Sequence, residues 1–326
     1  MSASLVLKVD VDTYHGTLEG VPRLLDLFAK LEIRATFFFS LGPDNSGKAI
    51  RRVFRKGFVK KVLSARPAAS YGLRTMLYGT LLPAPEIGAR PDAVRRMREV
   101  AAAGHAVGIH AWDHVAWHDR LPEMTRDEIG EIVAKEHARF CEVFGRAATL
   151  SAAPGWTATP LSVEVQESYG VVATSDTRNG GPFFPLRPDG TPAKVLEIPS
   201  TLPTLDELLA LPLPGAGSPG ERACAALRLS VREGPASASA GAGTAAAASR
   251  VEVHSIHTEI EGGPAFSAPF ARLLAAWKSD GVAFITLEEL SGTIRAASAA
   301  PVPARHLTFT TLPGRATPVA TGGETA

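Results

Sequence analysis

The chain has 326 residues, about twice the usual length of one domain, and its 45% hydrophobic and 21% charged composition suits a soluble globular protein with a sizeable core. A formal net charge of +1 excludes an overall field steering it toward nucleic acid, and its two cysteines, Cys141 and Cys224, offer neither a disulfide framework nor a zinc-ligand spacing. No basic-then-apolar leader opens the sequence and no run of about 18 strongly apolar residues occurs, so a cytoplasmic protein without a transmembrane helix is expected.

In chain order, residues 5–9 read as a strand, and residues 21–31 as a helix whose Leu24, Leu25, Phe28 and Leu31 share one face. A strand at 35–39, a helix at 92–103 and a strand at 106–110 follow. Thr125 with Glu128 forms a capping-box pattern opening a helix that runs to about Phe144. Further strands are predicted at 147–151, 171–175, 195–198, 251–257 and 282–285. This alternation predicts an α/β fold with a mainly parallel sheet whose seven or eight strands can close into a barrel. One barrel domain over residues 1–296 is expected, with a basic amphipathic insertion at 45–80 and a flexible, Pro/Gly- and small-residue-rich insertion at 211–249. Within the second insertion, residues 235–249 carry no large side chain and no charge, too little apolar surface to offset ordering entropy, so a flexible segment is predicted. The Pro-, Ala- and Thr-rich tail at 297–326 is expected to be disordered or extended.

Three places concentrate chemistry. The first strand ends in Val9-Asp10-Val11-Asp12-Thr13, and at period two Asp10 and Asp12 point to one side. Two carboxylates there call for a cation or a proton between them, or else serve only as turn residues. The third strand ends in His110-Ala111-Trp112-Asp113-His114. Histidines four apart on a helical turn share a face and can reach one metal ion; Asp12 would complete two imidazoles and a carboxylate with positions left open. Asp113 is a candidate support for an imidazole. His105, His118, His137 and His306 fit no such pattern and read as structural or surface residues. Near the end of the 251–257 strand, His254 and His257 are both candidate proton donors, and alternation does not choose between them.

Asp10-Val11-Asp12, His110-x-x-x-His114, Ala153-Pro154-Gly155-Trp156, Ser175-Asp176 and Ile256-His257 resemble, in order and spacing, the motifs of the polysaccharide deacetylase (NodB-homology) family. More narrowly, DVDTYHGTLEGVPRLL, FFFSLGPDNSGK, GIHAWDHVAWH, SAAPGW, SDTRNG, IPSTLPTLDE and IHTEIEG are similar to the 4-deoxy-4-formamido-L-arabinose-phosphoundecaprenol deformylases. The likeness covers about residues 5–292 apart from the small-residue insertion.

The resemblance implies a deformed (β/α) barrel with a divalent metal, commonly zinc, at the C-terminal strand ends. It assigns Asp12, His110 and His114 to the metal, Asp10 to the general base, His257 to the general acid and Asp176 to its orienting partner. Pro154, Gly155 and Trp156 would form a wall of the substrate groove. Such a donor set also suits cobalt, manganese or iron. Val11 separates aspartates that are adjacent in the wider family, so the roles of Asp10 and Asp12 are exchangeable at this level. The family's third motif begins with an arginine where Ser151 and Ala152 stand, and Arg178 is the candidate replacement in substrate binding. The implied reaction is hydrolysis of an undecaprenyl-phosphate-linked formamido sugar to formate and a 4-amino sugar for lipid A modification. The competing readings are an N-deacetylase of another N-acyl sugar and a non-catalytic, metal-stabilised lipid-binding protein; retaining an acid and a base argues against the latter.

Residues 45–80 contain Lys48, Arg51, Arg52, Arg55, Lys56, Lys60, Lys61, Arg66 and Arg74 without one Asp or Glu, interleaved with apolar and aromatic side chains. Such a pattern suits an anionic leaflet, and a peripheral position on the cytoplasmic face of the inner membrane is expected; a solvated basic helix is the plainer reading. No nucleic-acid-binding module accompanies the charge.

Overall fold

The computed structural model describes residues 3–49, 74–233, 250–297 and 301–325. The predicted flexible segment at 235–249 and residues 50–73 of the basic segment lie outside the described residues.

Hydrophobic alternation in the first strand sets up the architecture. In β1 (Ser4–Val11), Leu5, Leu7, Val9 and Val11 join the large core under the helices, whereas Val6, Lys8 and Asp10 point to the other face. Beside it lie β2 (Thr36–Ser40), β3 (Ala106–Ala111), β4 (Leu150–Ser151), β5 (Ala173–Thr174) and, after β6 (Phe184–Pro185), β7 (Leu196–Glu197). On the other edge of β1 lies β8 (Val251–His257), and β9 (Ala283–Ile285) pairs with the first residues of β1. Among the described residues the main sheet has eight strands in the order β7-β5-β4-β3-β2-β1-β8, with β9 branching from β1 and every neighbour parallel. The ladder stays open between β7 and β8, where the Thr201 and Leu202 amides donate to the Val253 carbonyl at 3.0 and 3.1 Å. The result is the deformed, curled barrel expected.

Helices α1 (Val21–Leu31), α2 (Pro91–Ala102), α3 (His114–Arg120), α4 (Arg126–Phe144) and α5 (Pro160–Ser168) follow the first four strands. Thr125 and Glu128 close the predicted capping box of α4. Later come α6 (Leu205–Leu209), α7 (Pro219–Glu233), α8 (Ser267–Ser279) and α9 (Leu287–Ala296). The bottom of the barrel is plugged by Val6, Phe38, Leu150, Val253 and, from α9, Leu287 and Leu290. Gly108 makes room there, since a Cβ would sit 2.7 Å from the Phe38 ring and from the Leu150 carbonyl oxygen.

Two expectations are corrected. The insertion read as flexible from residue 211 includes α7, whose Ala223, Cys224, Leu227 and Val231 recur at helical spacing and are buried in the main core. The tail is not disordered over its described part: β10 (Ala304–Thr310) and β11 (Val319–Thr325) form an antiparallel hairpin that joins β6 in a three-stranded sheet. Backbone bonds and burial hold it, the Arg178 amide donating to the Ala320 carbonyl at 2.9 Å while Val319 and Ala320 are fully buried.

Overpacking at Gly108 should lower stability. Gly108→Ala is expected to cost about 1–3 kcal/mol, read as an earlier urea midpoint with an unchanged m-value; an unmoved midpoint would show that Phe38 can yield.

Candidate active site

All the candidate residues sit at the C-terminal ends of the parallel strands, where loops can gather side chains over a rigid sheet. Asp10 is the penultimate residue of β1, and Asp12 is the first residue past its end. His110 lies at the end of β3, where the pairing with β2 shifts by one residue between Phe39 and Ser40. Such a bulge re-aims a strand-end side chain. His114 is the first residue of α3, and Asp113 caps that helix by accepting from the Val115 and Ala116 amides at 3.1 and 3.0 Å. The two histidines therefore come from a strand end and a helix start rather than from one helical turn, and Asp113 holds the turn between them instead of an imidazole. Asn45 Nδ2 also donates to Asp113 at 2.6 Å, fixing the turn from the β2 side.

Asp12, His110 and His114 each offer one ligand atom, all within 4.8 Å of one another. His110 Nδ1 lies 2.8 Å from the Ala152 carbonyl oxygen, a contact that only a protonated Nδ1 satisfies. In the neutral ring, Nε2 then turns a lone pair toward Asp12 Oδ1, 3.1 Å away, and that oxygen is buried without a hydrogen bond. Two acceptors facing one another call for a cation between them, and the donor set fits a divalent metal. His114 Nε2 is 3.7 Å from Asp12 Oδ2. Burial would raise the Asp12 carboxyl, but whenever His114 and His110 are protonated their charges and the His110 contact hold it far below the usual carboxylate range.

Across the cleft, β1 and β8 pair so that Asp10 stands opposite His257. This settles the choice within β8: His257 shares the inward face with Ser255, while His254 packs edge-on against Trp277, its ring centroid 5.9 Å away, and burial depresses it to about 3. His257 is raised to about 9; burial works against the charge, and Asp206, Asp12 and Asp10 outweigh it. The carboxylate nearest its Nδ1 is Asp206, at 3.6 Å from the first turn of α6, and the Glu261 carboxylate accepts from its backbone amide at 2.9 Å.

Asp176 is therefore not the orienting partner of His257. Its Oδ1 accepts from the Ala153 amide at 2.7 Å, which holds the end of β4 whose Ala152 carbonyl orients His110. Burial and the neighbouring Glu197 push Asp176 up to about 8. Arg178 does not reach the cleft as a substrate-binding group either: it is 2% exposed, with Nη1 and Nη2 donating to Glu207 at 2.6 and 3.0 Å. The cation beside Asp10 is Lys8, fully buried, its Nζ 3.2 Å from Oδ2. A lysine inside the apolar run Leu5–Val11, on the face of Asp10 and Asp12, was a legible signal that the motif comparison passed over.

The remaining groove residues line a cleft of about 200 Å³. Gly155 and Trp156 lie on its wall, while Pro154 is buried behind them. Gly155, at φ +59°, lets His118 into the wall, since a Cβ would meet the His118 ring at 2.2 Å. Trp156 Nε1 donates to Ser200 Oγ at 3.0 Å, and Ser200 and Ser255 share a 2.8 Å hydroxyl contact. His118, Asp206, Ile260, Arg315 and Thr317 also line the cleft. His118, Asp206 and Ile260 lie inside segments of the resemblance but were given no role in the site, and Arg315 and Thr317 lie beyond it.

The profile of the polysaccharide deacetylase family matches residues 5–174, more than half of the chain, and the chain belongs to that family. It is 38% identical over 203 residues to a protein of Shewanella sediminis named as a 4-deoxy-4-formamido-L-arabinose-phosphoundecaprenol deformylase, covering 62% of this chain and 64% of that one. A protein of the same name from Wigglesworthia glossinidia brevipalpis is 31% identical over 195 residues, covering 60% and 67%. The chain thus spans just under two thirds of the first relative's length. Among solved structures, one from Mycobacterium smegmatis titled as a polysaccharide deacetylase matches with a TM-score of 0.59 at 16% identity, covering 95% of each chain, a likeness of fold.

Removing both imidazoles should empty the cluster. A His110→Ala, His114→Ala double variant is expected to retain almost no zinc or cobalt after desalting, by elemental analysis; wild-type metal content would refute the assignment.

Proposed function

We propose that this chain is a metal-dependent hydrolase that removes the formyl group from 4-deoxy-4-formamido-L-arabinose carried on undecaprenyl phosphate. The products are formate and the lipid-linked 4-amino sugar used in lipid A modification. The observation that carries the reading is the pairing of Asp10 with His257 on adjacent strands, both in the cleft with the three-ligand cluster. A binding site alone needs neither a base nor an acid. The names of the similar proteins supply the substrate.

A divalent ion held by Asp12, His110 and His114 would polarise the amide carbonyl and make water more acidic. Asp10, held beside Lys8, accepts the proton lost as the water oxygen bonds to the formyl carbon. His257 carries the proton that the departing nitrogen needs when the C–N bond breaks, and Asp206 stabilises the charged imidazolium. Each group contributes ~10²–10⁴-fold.

Incubating purified, metal-loaded protein with the lipid-linked formamido sugar should release formate and lower the lipid's mass by one CO unit in mass spectrometry. The N-acetyl analogue should react far more slowly; equal rates would favour a general N-deacetylase. Asp10→Asn and His257→Ala should each lose most turnover with metal retained. Because the acid form of His257 is lost as pH rises past its raised value, activity should fall on the alkaline side. Asp206→Asn removes the largest influence raising it and should move that fall to lower pH. A fall unmoved by Asp206→Asn would assign the proton to another group.

The reading extends to a peripheral membrane position. It is supported by the nine Lys and Arg residues, without one Asp or Glu, in residues 45–80. No helix of the described residues is long and apolar enough to cross a membrane. Each basic residue near an anionic leaflet contributes on the order of 1 kcal/mol. Replacing Arg51, Arg52, Arg55 and Lys56 by Gln should weaken flotation with anionic vesicles and slow turnover of the lipid-linked substrate, leaving a short soluble analogue nearly unaffected. Equal losses on both substrates would mean that the segment supports the barrel instead.

A further inference from the structure

We infer that Arg315, supplied by the C-terminal segment, forms an anion subsite in the cleft that takes the phosphodiester of the substrate. The proposal rests on the reading of the site as an amide hydrolase for the identity of the sugar, though not for the binding of the anion.

The segment is built into the cleft by backbone geometry. The Arg315 amide donates to the Leu312 carbonyl at 3.2 Å, closing a turn over Pro313 and Gly314. Gly314 has φ +84° and lies against α6, where a Cβ would be 2.4 Å from the Glu207 carbonyl oxygen. Only glycine allows so close an approach in that conformation. Arg315 and Thr317 are thereby brought onto the cleft wall with Asp10, Asp12 and His257. Thr317 Oγ1 lies 3.4 Å from His118 Nε2, on the same wall.

Charge then distinguishes Arg315 from a mere strut. Glu207 already accepts both fork bonds of Arg178, and Arg315 Nη1 adds a third at 3.2 Å. Two guanidinium groups thus share one carboxylate, which leaves one positive charge in excess. Arg315 Nε is buried without a hydrogen-bond partner, although the group carries five N–H donors. Its carbon Cζ lies 4.8 Å from the Trp156 ring centroid, with Arg178 and Lys8 at 4.5 and 4.9 Å from the same ring. The cleft's other charged groups face partners of their own: Asp10 faces Lys8, Asp12 the two histidines, and Asp206 His257.

A planar guanidinium held over an aromatic ring matches two oxygens of a phosphate better than a point charge would. The cleft, at about 200 Å³, is smaller than the roughly 300–1,000 Å³ typical of drug-sized sites and suits a single sugar ring. A ring bearing both the amide and a phosphodiester can place one at the acid–base pair and the other at Arg315.

The test uses the methyl phosphodiester of 4-amino-4-deoxyarabinose, which has no scissile amide, and its neutral methyl glycoside. Metal-loaded wild type should bind the diester more tightly by calorimetry. Arg315→Gln should weaken that binding about 10- to 100-fold, the loss of a charge-assisted hydrogen bond, and leave the glycoside unchanged. Arg315→Met, which keeps a straight stem over Trp156, decides the matter should the glutamine variant melt. Unchanged diester binding in the variant, equal losses for both ligands, or no preference for the diester in wild type would each overturn the proposal. With the N-formyl diester as substrate, KM should rise by the same factor while kcat falls less. Should wild type release no formate from any formamido sugar while the binding contrast persists, the hydrolase reading fails and the anion subsite stands.

Discussion

Strand β1 carries the constraint on which the rest depends. It is paired along both edges and buried on both faces, yet it holds Lys8 and Asp10. Charges out of water are tolerated only as partners, because removing one leaves the other uncompensated at several kcal/mol. The alternation that sends Leu5, Leu7, Val9 and Val11 under the helices obliges the inward residues to face the barrel's interior. That interior is apolar at the bottom, around Val6 and Phe38, and becomes polar toward the strand ends. The chemistry collects where the sheet can no longer supply apolar neighbours.

Around this axis the site is held by groups that never reach the cleft. Asp176 fixes the Ala153 amide, the neighbouring Ala152 carbonyl holds the His110 ring by Nδ1, and that contact leaves the lone pair on the nitrogen that faces Asp12. Glu197 anchors the loop after β5, its carboxylate accepting from the Asp176 and Thr177 amides at 2.9 Å. On the opposite side, Glu207 binds Arg178 and Arg315 together and so joins α6, the loop after β5 and the C-terminal segment. Trp156, with a positive φ of 53°, stands at the meeting point of the two sets. A strained aromatic residue persists when surrounding contacts over-determine it, and here a hydrogen bond and three cations do so.

Much of the site was legible because its signals are local. Period two places Asp10 and Asp12 on one side of a strand, and the motifs brought in His110, His114 and His257 around them. The hairpin at 304–325 was not legible: its Pro-, Ala- and Thr-rich composition resembles that of an unstructured tail, and its order comes from pairing with β6 and from the burial of Val319 and Ala320. Helix α7 was absorbed into the small-residue run that follows it: Ala223, Cys224, Leu227 and Val231 recur at helical spacing, and packing against α6 and α8 makes them a core face.

By itself the sequence determined the parallel α/β plan and the order of the strands along the chain, which follow from periodicity, while Asp12, His110 and His114 were drawn together as a candidate cluster by the family motifs as much as by their spacing. Tertiary structure decided the partners. Asp206 rather than Asp176 faces His257, Arg178 is turned to Glu207 rather than to the substrate groove, Lys8 stands beside Asp10, and Arg315 arrives from far along the chain. Charge pairing acts over a few ångströms of space regardless of chain separation, and no motif records which loops a curled sheet will bring together.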